Sequence, residues 1–313
     1  MRILITGAAG FIASHLAERL ARDGHEVIGL DCFSDYYDPR VKRRNAEDVC
    51  ASGARLLELD LATDDLSQAV QGAEVVYHLA AQPGISQSTH FDAYLRNNFI
   101  ATQRLLDACV EHGSLPFFVN IATSSVYGKY ATESETTPAR PVSHYGVTKL
   151  AAEALALSYD AAHNLPGCSL RVYSVYGPRE RPEKLFPRLI TSMLDGEEFP
   201  LYEGAGEHRR TFTYVGDAID GFVAVLRDLN ACRGEIFNVG SEEEVRTLDG
   251  IEIVEEILGL PARIRHVPKR PGDQIRTAAN IDKIRERLGY EPKTSLKEGL
   301  RKTVAWFQAG RTS

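Results

Sequence analysis

Short apolar runs alternate with amphipathic stretches through the first half of the chain. Ile3 to Thr6, Glu26 to Leu30, Arg55 to Leu59 and Glu74 to Leu79 have the length and apolar density of buried strands. Between the first two, Phe11 to Arg22 sets Ile12, Leu16 and Leu20 on one face of a helix. The alternation continues with a long helix over about Tyr94 to Glu111, a strand over Phe117 to Ala122, a helix over Tyr145 to His163 and a strand over Ser169 to Tyr173. Strands that alternate with helices predict the α/β class: a doubly wound parallel sheet covered on both faces. From about Val175 the loops lengthen and fill with Pro, Gly and Arg, and helices over Asp217 to Leu229 and Thr247 to Leu258 are separated by short strands. The expected division is therefore 1–174 for the sheet and 175–313 for a smaller C-terminal lobe at its mouth. The chain is expected to return to the sheet near Gly234 to Val239.

Composition narrows the classes. The chain has 313 residues, and its formal net charge of -7 argues against a non-specific nucleic-acid binder. The one basic run, Arg40 to Arg44, reads as a solvated helix face. Five cysteines, an odd number at wide spacings with no CxxC, point to reduced thiols, no disulfide framework and no metal site. The N-terminus lacks the apolar core of a signal peptide, and no run approaches the roughly 18 apolar residues of a membrane span. A cytoplasmic location is expected.

The first candidate chemistry lies where strand one meets helix one. Gly7-Ala8-Ala9-Gly10-Phe11-Ile12-Ala13 is a GxxGxxA loop. Its glycines permit a tight turn and let backbone N–H groups reach a pyrophosphate at the helix N-terminus. Ala13 stands where a third glycine is usual. Asp31 ends the second strand, where an acid accepts the adenosine ribose hydroxyls and repels a 2′-phosphate, so NAD is favoured over NADP. Asp60 and Leu61, after the third strand, are placed to meet the adenine. Each acid alone could simply cap a helix. Together, at the ends of successive strands, they point to a dinucleotide on a Rossmann-type sheet.

The second candidate is catalytic. Tyr145 and Lys149 open a helix four residues apart, which puts phenol and ammonium on one face. A free tyrosine has a pKa of about 10, and nearby positive charge favours its phenolate. Thr123, Ser124 and Ser125 follow strand Phe117 to Ala122, where a hydroxyl can bond a substrate oxygen and relay its proton to Tyr145. Glycine loop, Asp31, hydroxyl cluster and YxxxK occur in this order along one chain.

With these motifs on the page, the chain resembles the extended short-chain dehydrogenase/reductases, and within them the NAD-dependent nucleotide-sugar epimerase/dehydratase family. The resemblance runs through His78-Leu-Ala-Ala-Gln82, Asn97-Asn98, Thr123 to Gly128, Tyr145 to Lys149, Arg171 to Pro178, Arg210 to Asp217 and Arg270-Pro-Gly-Asp273. It covers essentially the whole chain and is nearest to UDP-glucuronate and UDP-glucose 4-epimerases. The resemblance implies that Tyr145 is the acid/base and Lys149 its partner at the nicotinamide ribose. Thr123 matches the catalytic Ser or Thr, with Ser124 and Ser125 beside it. Gly7, Gly10, Phe11, Ile12, Asp31, Asp60, Leu61, Leu79, Ala80, Ala81, Gln82, Asn98, Tyr173 and Val175 would meet the cofactor. Pro83, Ser86, Ser174, Arg181, Arg188, Arg210, Arg270 and Asp273 would meet the substrate. Two arginines suit a diphosphate, whose oxygens match the guanidinium fork.

The resemblance also separates sister reactions. The 4,6-dehydratases carry Asp and Glu after the catalytic Thr, and the decarboxylases a Glu where Ser125 stands; Ser124 and Ser125 supply neither acid. The implied activity is inversion at C4 of a UDP-sugar through a transient 4-keto intermediate, with UDP-glucuronate to UDP-galacturonate favoured because Arg181 matches the arginine near the sugar carboxylate. Glu183 to Arg188 and Ser174 depart from the patterns of the glucuronate and galactose enzymes respectively, which leaves UDP-glucose and UDP-N-acetylglucosamine open. A UDP-glucuronate decarboxylase, a 4-ketoreductase and a non-catalytic NAD-binding scaffold are the remaining alternatives; the scaffold has no need of the Tyr/Lys pair. The family implies a homodimer through the helices near 94–111 and 145–163.

Overall fold

The computed structural model describes residues 1–84, 89–112, 115–269 and 274–312. Seven strands build one sheet: β1 (Arg2–Thr6), β2 (Glu26–Asp31), β3 (Arg55–Glu58), β4 (Val75–His78), β5 (Phe117–Thr123), β6 (Gly167–Val172) and β7 (Ile236–Val239). Their order across the sheet is β3-β2-β1-β4-β5-β6-β7, and every pairing is parallel. β1 and β4 are neighbours although β2 and β3 lie between them in sequence. The chain therefore reverses its winding there, and a crevice opens beyond the carboxyl ends of these two strands.

The inner strands are apolar because helices cover both faces. On one face α1 (Phe11–Arg22) buries Leu16 and Leu20, and α2 (Pro39–Ala51) buries Val49, against Ile3, Ile5, Val75 and Tyr77. On the other, α3 (Ala101–Glu111) and α4 (His144–His163) bury Leu105, Leu106, Ala156 and Tyr159 against Leu4, Val76 and Phe118. Beyond Val175 a second apolar cluster forms around Tyr176, Phe186, Phe212, Ile251 and Leu300. Its rings meet edge to face, Tyr176 with Phe186 at 5.4 Å and with Phe212 at 6.3 Å between centroids. No described helix is long and apolar enough to cross a membrane.

Three elements differ from the sequence expectation. The helix expected from Tyr94 begins at Phe91 and passes through a π-turn, Leu95–Ile100, before α3. Such a turn inserts a residue and re-aims side chains, here Asn98. The helix expected over Asp217 to Leu229 runs Val215–Ala224, then tightens over Val225–Arg227 and resumes at Leu229–Cys232, where Asp228 accepts the Ala231 N–H. The basic run on α2 is not simply a solvated face. Lys42 is buried, its ammonium donating to the Ser34 carbonyl and hydroxyl, both at 2.8 Å.

A buried hydrogen-bond chain locks β1 to β4 at the crevice. The Thr6 hydroxyl lies 2.8 Å from His78 Nδ1, and His78 Nε2 lies 2.8 Å from the Thr102 hydroxyl. Thr102 spends its only proton on the Asn98 carbonyl, so Nε2 must donate, Nδ1 must accept, and Thr6 donates to it. The Thr6 oxygen then accepts the Ala80 N–H at 3.1 Å. Full burial, with the Lys149 charge as a lesser cause, lowers the His78 pKa to about 3. A histidine held neutral when folded but protonated when unfolded removes stability as pH falls below its unfolded pKa. Below about pH 6 this one residue should steepen the loss of unfolding free energy by about 1.4 kcal/mol per pH unit. Urea titrations at pH 7, 6 and 5 should therefore show a steeper decline in the wild type than in His78→Gln.

Candidate active site

The crevice is built first from the loop between β1 and α1. Gly7 turns the chain with φ +72°, and its N–H donates to the Leu30 carbonyl at 2.7 Å. A Cβ on Gly7 would stand 3.0 Å from the backbone N and Cα of Ala80, so the loop and the end of β4 touch through bare backbone. Gly10 is the N-cap of α1 and offers no capping side chain, and a Cβ there would lie 2.9 Å from the Gly7 carbonyl oxygen. Phe11 and Ile12, half-buried, begin the helix, and Ala13 is buried against the sheet.

Asp31 anchors this loop. Its Oδ2 accepts the Ala9 N–H at 3.1 Å and its Oδ1 the Phe33 N–H at 2.8 Å, while Asn45 donates to the Ala9 carbonyl at 3.0 Å. Burial raises the Asp31 pKa, opposed by Lys42 and by the two N–H groups. Asp60 is partly exposed and already has two partners. It accepts from Arg96 at 2.6 Å and caps its own turn through the Ala62 N–H. Leu61 is buried in the core. Arg43 stacks on the Phe33 ring at 3.6 Å and pairs with Glu58.

At the end of β4, Leu79, Ala80 and Ala81 are half-buried. The Gln82 N–H donates to Asn98 Oδ1 at 2.7 Å, and Asn98 Nδ2 donates to the Gln82 carbonyl and to the Thr148 hydroxyl. The π-turn thus ties the cofactor side of the crevice to the catalytic helix. Gln82 Nε2 is buried and finds no hydrogen-bond partner among the described residues. A glycine cradle closed to any Cβ, a ribose-facing acid and this unspent donor at the switch point fit a dinucleotide.

α4 starts where the Ser143 hydroxyl accepts the Gly146 N–H at 3.1 Å, which fixes Tyr145 in the first turn. Thr123, the last residue of β5, accepts the Ser125 N–H at 3.1 Å, and its hydroxyl neighbours the Tyr145 phenol and favours its ionised form. Burial raises the Tyr145 pKa; Thr123 and the Arg181 charge oppose it. The cations near the phenol therefore include Arg181, a contribution that helix spacing alone did not suggest. Lys149 is buried, and desolvation brings its pKa down to about 8 against the opposing charge of Glu153.

Glu153, one turn beyond Lys149, belongs to a charge network that sequence reasoning passed over. Arg171 on β6 grips it with Nη2 to Oε1 at 2.6 Å and Nε to Oε2 at 3.1 Å, and Ser169 donates to Oε2 at 2.9 Å. Arg171 Nη1 donates to the Tyr127 hydroxyl at 2.9 Å, which donates to Asn238 Oδ1 at 2.8 Å. Tyr127 ends the turn that carries Ser124 and Ser125, so the network supports both halves of the catalytic group. The signal was available: Lys149 and Glu153 are four apart on one helix.

The expected substrate residues are placed unevenly. Arg181 sits in the cleft, its guanidinium 3.3 Å from where a Gly84 Cβ would stand and 5.7 Å from the Tyr36 ring centroid. Arg210 donates to the Gln274 carbonyl, and Gln274 donates to the carbonyls of Ser124 and Gly128, so this arginine is coupled to the catalytic turn. Ser174 is half-buried, as is Val175, which pairs with Thr213; Pro83 is half-buried and Arg188 exposed on its helix. Tyr173 does not offer its side chain to the crevice: it is fully buried beside Tyr127, because β6 turns it into the core. Ser86, Arg270 and Asp273 lie outside the described residues. No group of His, Cys, Asp and Glu among the described residues could hold a metal.

Two outcomes follow. Gly7→Ala should leave a folded protein that loses bound NAD, read as absorbance and fluorescence of the purified sample, because both the left-handed backbone and the Ala80 contact resist a methyl group. Turnover should fall as pH rises through about 8, where Lys149 loses its proton. Glu153→Gln removes the charge that holds that proton, so the alkaline limb of its pH–rate profile should move to lower pH.

Residues 3–240 match the NAD dependent epimerase/dehydratase family. A Bacillus subtilis (strain 168) protein described as an uncharacterized UDP-glucose epimerase, YtcB, is 40% identical over 99% of this chain and 98% of its own length. UDP-glucuronate 4-epimerase 2 of Arabidopsis thaliana is 34% identical over 97% of this chain and 75% of its own. The crystal structure of UDP-glucuronic acid 4-epimerase from Bacillus cereus, in complex with UDP-glucuronic acid and NAD, superimposes with a TM-score of 0.94 at 39% identity, over 99% of each chain. The fold, the glycine cradle and the Thr–Tyr–Lys group thus agree with the sequence relationship: this chain belongs to the NAD-dependent epimerase/dehydratase family.

Proposed function

We propose that the chain is an NAD-dependent UDP-sugar 4-epimerase that interconverts UDP-glucuronate and UDP-galacturonate. The observation that carries this reading is Arg181. It is a largely buried guanidinium whose charge reaches the Tyr145 phenol, lying against Gly84 and Tyr36 on the sugar side of the catalytic turn, with Nη1 paired to the more exposed Glu183 at 2.6 Å and the rest of its fork left for a ligand. A cation there matches a substrate with a carboxylate beside the reacting carbon, since guanidinium and carboxylate pair through a two-point fork. The Bacillus cereus and Arabidopsis relatives, both named as glucuronate 4-epimerases, support the same reading.

NAD, held by Gly7, Gly10, Asp31 and the Leu79–Gln82 segment, supplies a reversible hydride acceptor when bound. Tyr145 takes the proton of the sugar C4 hydroxyl and later returns it to the C4 oxygen once the ring presents its other face. Burial disfavours the charged phenolate, so ionisation of Tyr145 depends on positive charge delivered with the cofactor and on the neighbouring Thr123 hydroxyl. Lys149 adds a cation on the same helix. Thr123 holds the C4 oxygen in line with Tyr145. Ser124 and Ser125 offer no acid, so neither dehydration nor decarboxylation has a proton donor at this turn. The sugar is held chiefly at its diphosphate, through arginines such as Arg210, which leaves the oxidised ring free to turn.

The UDP-glucose reading has one support of its own, the name of the Bacillus subtilis relative. We further propose a homodimer, because Ile100 and Val147 expose apolar surface on the paired helices that flank the crevice.

Proton NMR of the purified protein with UDP-glucuronate and no added NAD separates these outcomes. UDP-galacturonate should accumulate, and Tyr145→Phe should abolish it while keeping bound NAD. Arg181→Ala should raise KM for UDP-glucuronate by about 10- to 100-fold, the scale of a lost charge-assisted hydrogen bond. Conversion of UDP-glucose with UDP-glucuronate untouched would assign the neutral sugar, and UDP-xylose would assign a decarboxylase. Light scattering on the same sample should give twice the chain mass.

A further inference from the structure

Two residues before Arg181 the chain makes a turn closed by the Glu180 N–H on the Gly177 carbonyl, with Pro178 and Arg179 at its two central positions, the pattern of a type II turn whose third residue has positive φ. Arg179 has φ +69°, a left-handed conformation that an L-residue with a long side chain adopts only against steric resistance. Its side chain is 11% exposed and fans out to three partners on the cofactor side of the molecule. Nη1 donates to Glu18 and, at 3.3 Å, to the Ser14 hydroxyl, both on α1; Nη2 donates to Asp48 on α2 at 2.7 Å. The preceding residue is held as well, since His15 Nε2 donates to the Pro178 carbonyl at 3.0 Å. Beyond it, the Glu180 N–H closes a turn onto the Gly177 carbonyl and the Lys184 N–H another onto the Arg181 carbonyl.

The loop that presents Arg181 is thus pinned to α1 and α2, the helices that follow the glycine loop and Asp31. The wall against which Arg181 lies comes from the same region: Tyr36 belongs to the segment between β2 and α2. A guanidinium fork reads a carboxylate only within a narrow range of positions. Glu183 holds one end of that fork at 2.6 Å, while the loop that carries both residues is anchored by a neighbour that faces away from the cleft.

We propose that Arg179 is the positioning residue for carboxylate recognition: its clamp on Glu18, Asp48 and Ser14, together with its left-handed backbone, fixes where Arg181 meets the sugar. Arg179 itself does not touch the substrate. The turn itself asks for that backbone, and the three side-chain bonds tie it to α1 and α2. This inference rests on the assignment of Arg181 to a sugar carboxylate.

The test measures dissociation constants of UDP-glucuronate and UDP-glucose for the full-length, NAD-loaded protein by calorimetry, which needs no turnover. Arg179→Gly removes both the clamp and the steric demand. Glu18→Gln combined with Asp48→Asn weakens the clamp and leaves Arg179 in place. Both should weaken UDP-glucuronate by about tenfold while UDP-glucose changes by no more than about twofold, since only the charge-assisted contact is displaced. Arg179→Lys, which keeps one charge but not the fork, should recover part of the preference. Arg181→Ala is the control. If it erases the preference and the Arg179 and clamp variants do not, the positioning role is overturned and the glucuronate assignment stands. If the wild type has no preference, or Arg181→Ala leaves it intact, the glucuronate assignment fails and the positioning role with it. Equal weakening of both sugars with a lower melting temperature would reduce Arg179 to a structural strut and also overturn the proposal.

Discussion

A carboxylate sealed between two cations underlies the catalytic side of this molecule. Glu153 lies one helical turn beyond Lys149 and is gripped at both oxygens by Arg171. Ion pairs this deeply buried recover their desolvation cost only when the geometry is good and the remaining lone pairs are used. Here Ser169 takes one lone pair, Tyr127 takes the spare guanidinium N–H, and Asn238 takes the tyrosine proton. The pair therefore joins α4, β6, β7 and the Ser124–Tyr127 turn in one satisfied network. A network of this kind defines position more than it adds stability. What it positions are the two segments that carry Thr123, Tyr145 and Lys149. It also leaves a net positive charge beneath the phenol, the sign that ionisation of Tyr145 requires.

The cofactor side is organised by backbone rather than charge. Gly7 meets Ala80 with no side chain between them, and Thr6 and His78 close the gap through a hydrogen-bond chain that fixes the histidine tautomer. Asn98, aimed inward by the π-turn, carries that order across to Thr148 on the catalytic helix. The two halves of the crevice are thereby registered to each other through uncharged, fully used groups. Charged side chains stand at the end of β2 (Asp31), on the catalytic helix (Lys149) and in the cleft (Arg181), where the proposed function would set them against ribose, phenol and sugar.

This division explains which features were legible in the chain. Buried strands and amphipathic helices are periodic, so β1, α1 and the helix Thr247–Leu258 follow from spacing. Tyr145 and Thr123 stand at element ends, where short motifs encode position, and they neighbour each other, with Lys149 one turn along the same helix as Tyr145. Other features depend on contacts between distant residues and carry no local mark. Asp60 is taken by Arg96, Tyr173 is turned into the core, and Lys42 is drawn inward from a run that reads as solvent-facing. The π-turn differs from an α-helix by a single residue, below what a hydrophobic pattern can register. Arg171 reads as part of a family motif, but its partner Glu153 is 18 residues away and is found only when helix and strand are packed.

The same reasoning bears on how one scaffold can serve different sugars. The proton-transfer group is braced from below by Glu153 and Arg171, whereas Arg181 is braced from the far side by α1 and α2. The two braces share no residue. A change in the loop Gly177–Lys184 would act first on the position of Arg181, and a change in the buried network first on proton transfer. Arg181 nevertheless reaches Tyr145 through its field, and its charge favours the phenolate. A substrate carboxylate that neutralises Arg181 would withdraw part of that help at the moment of binding. Lys149 and the cofactor's positive charge must then hold the phenolate alone, which gives the chain a physical reason to keep a lysine close beneath a tyrosine that already has a cation nearby.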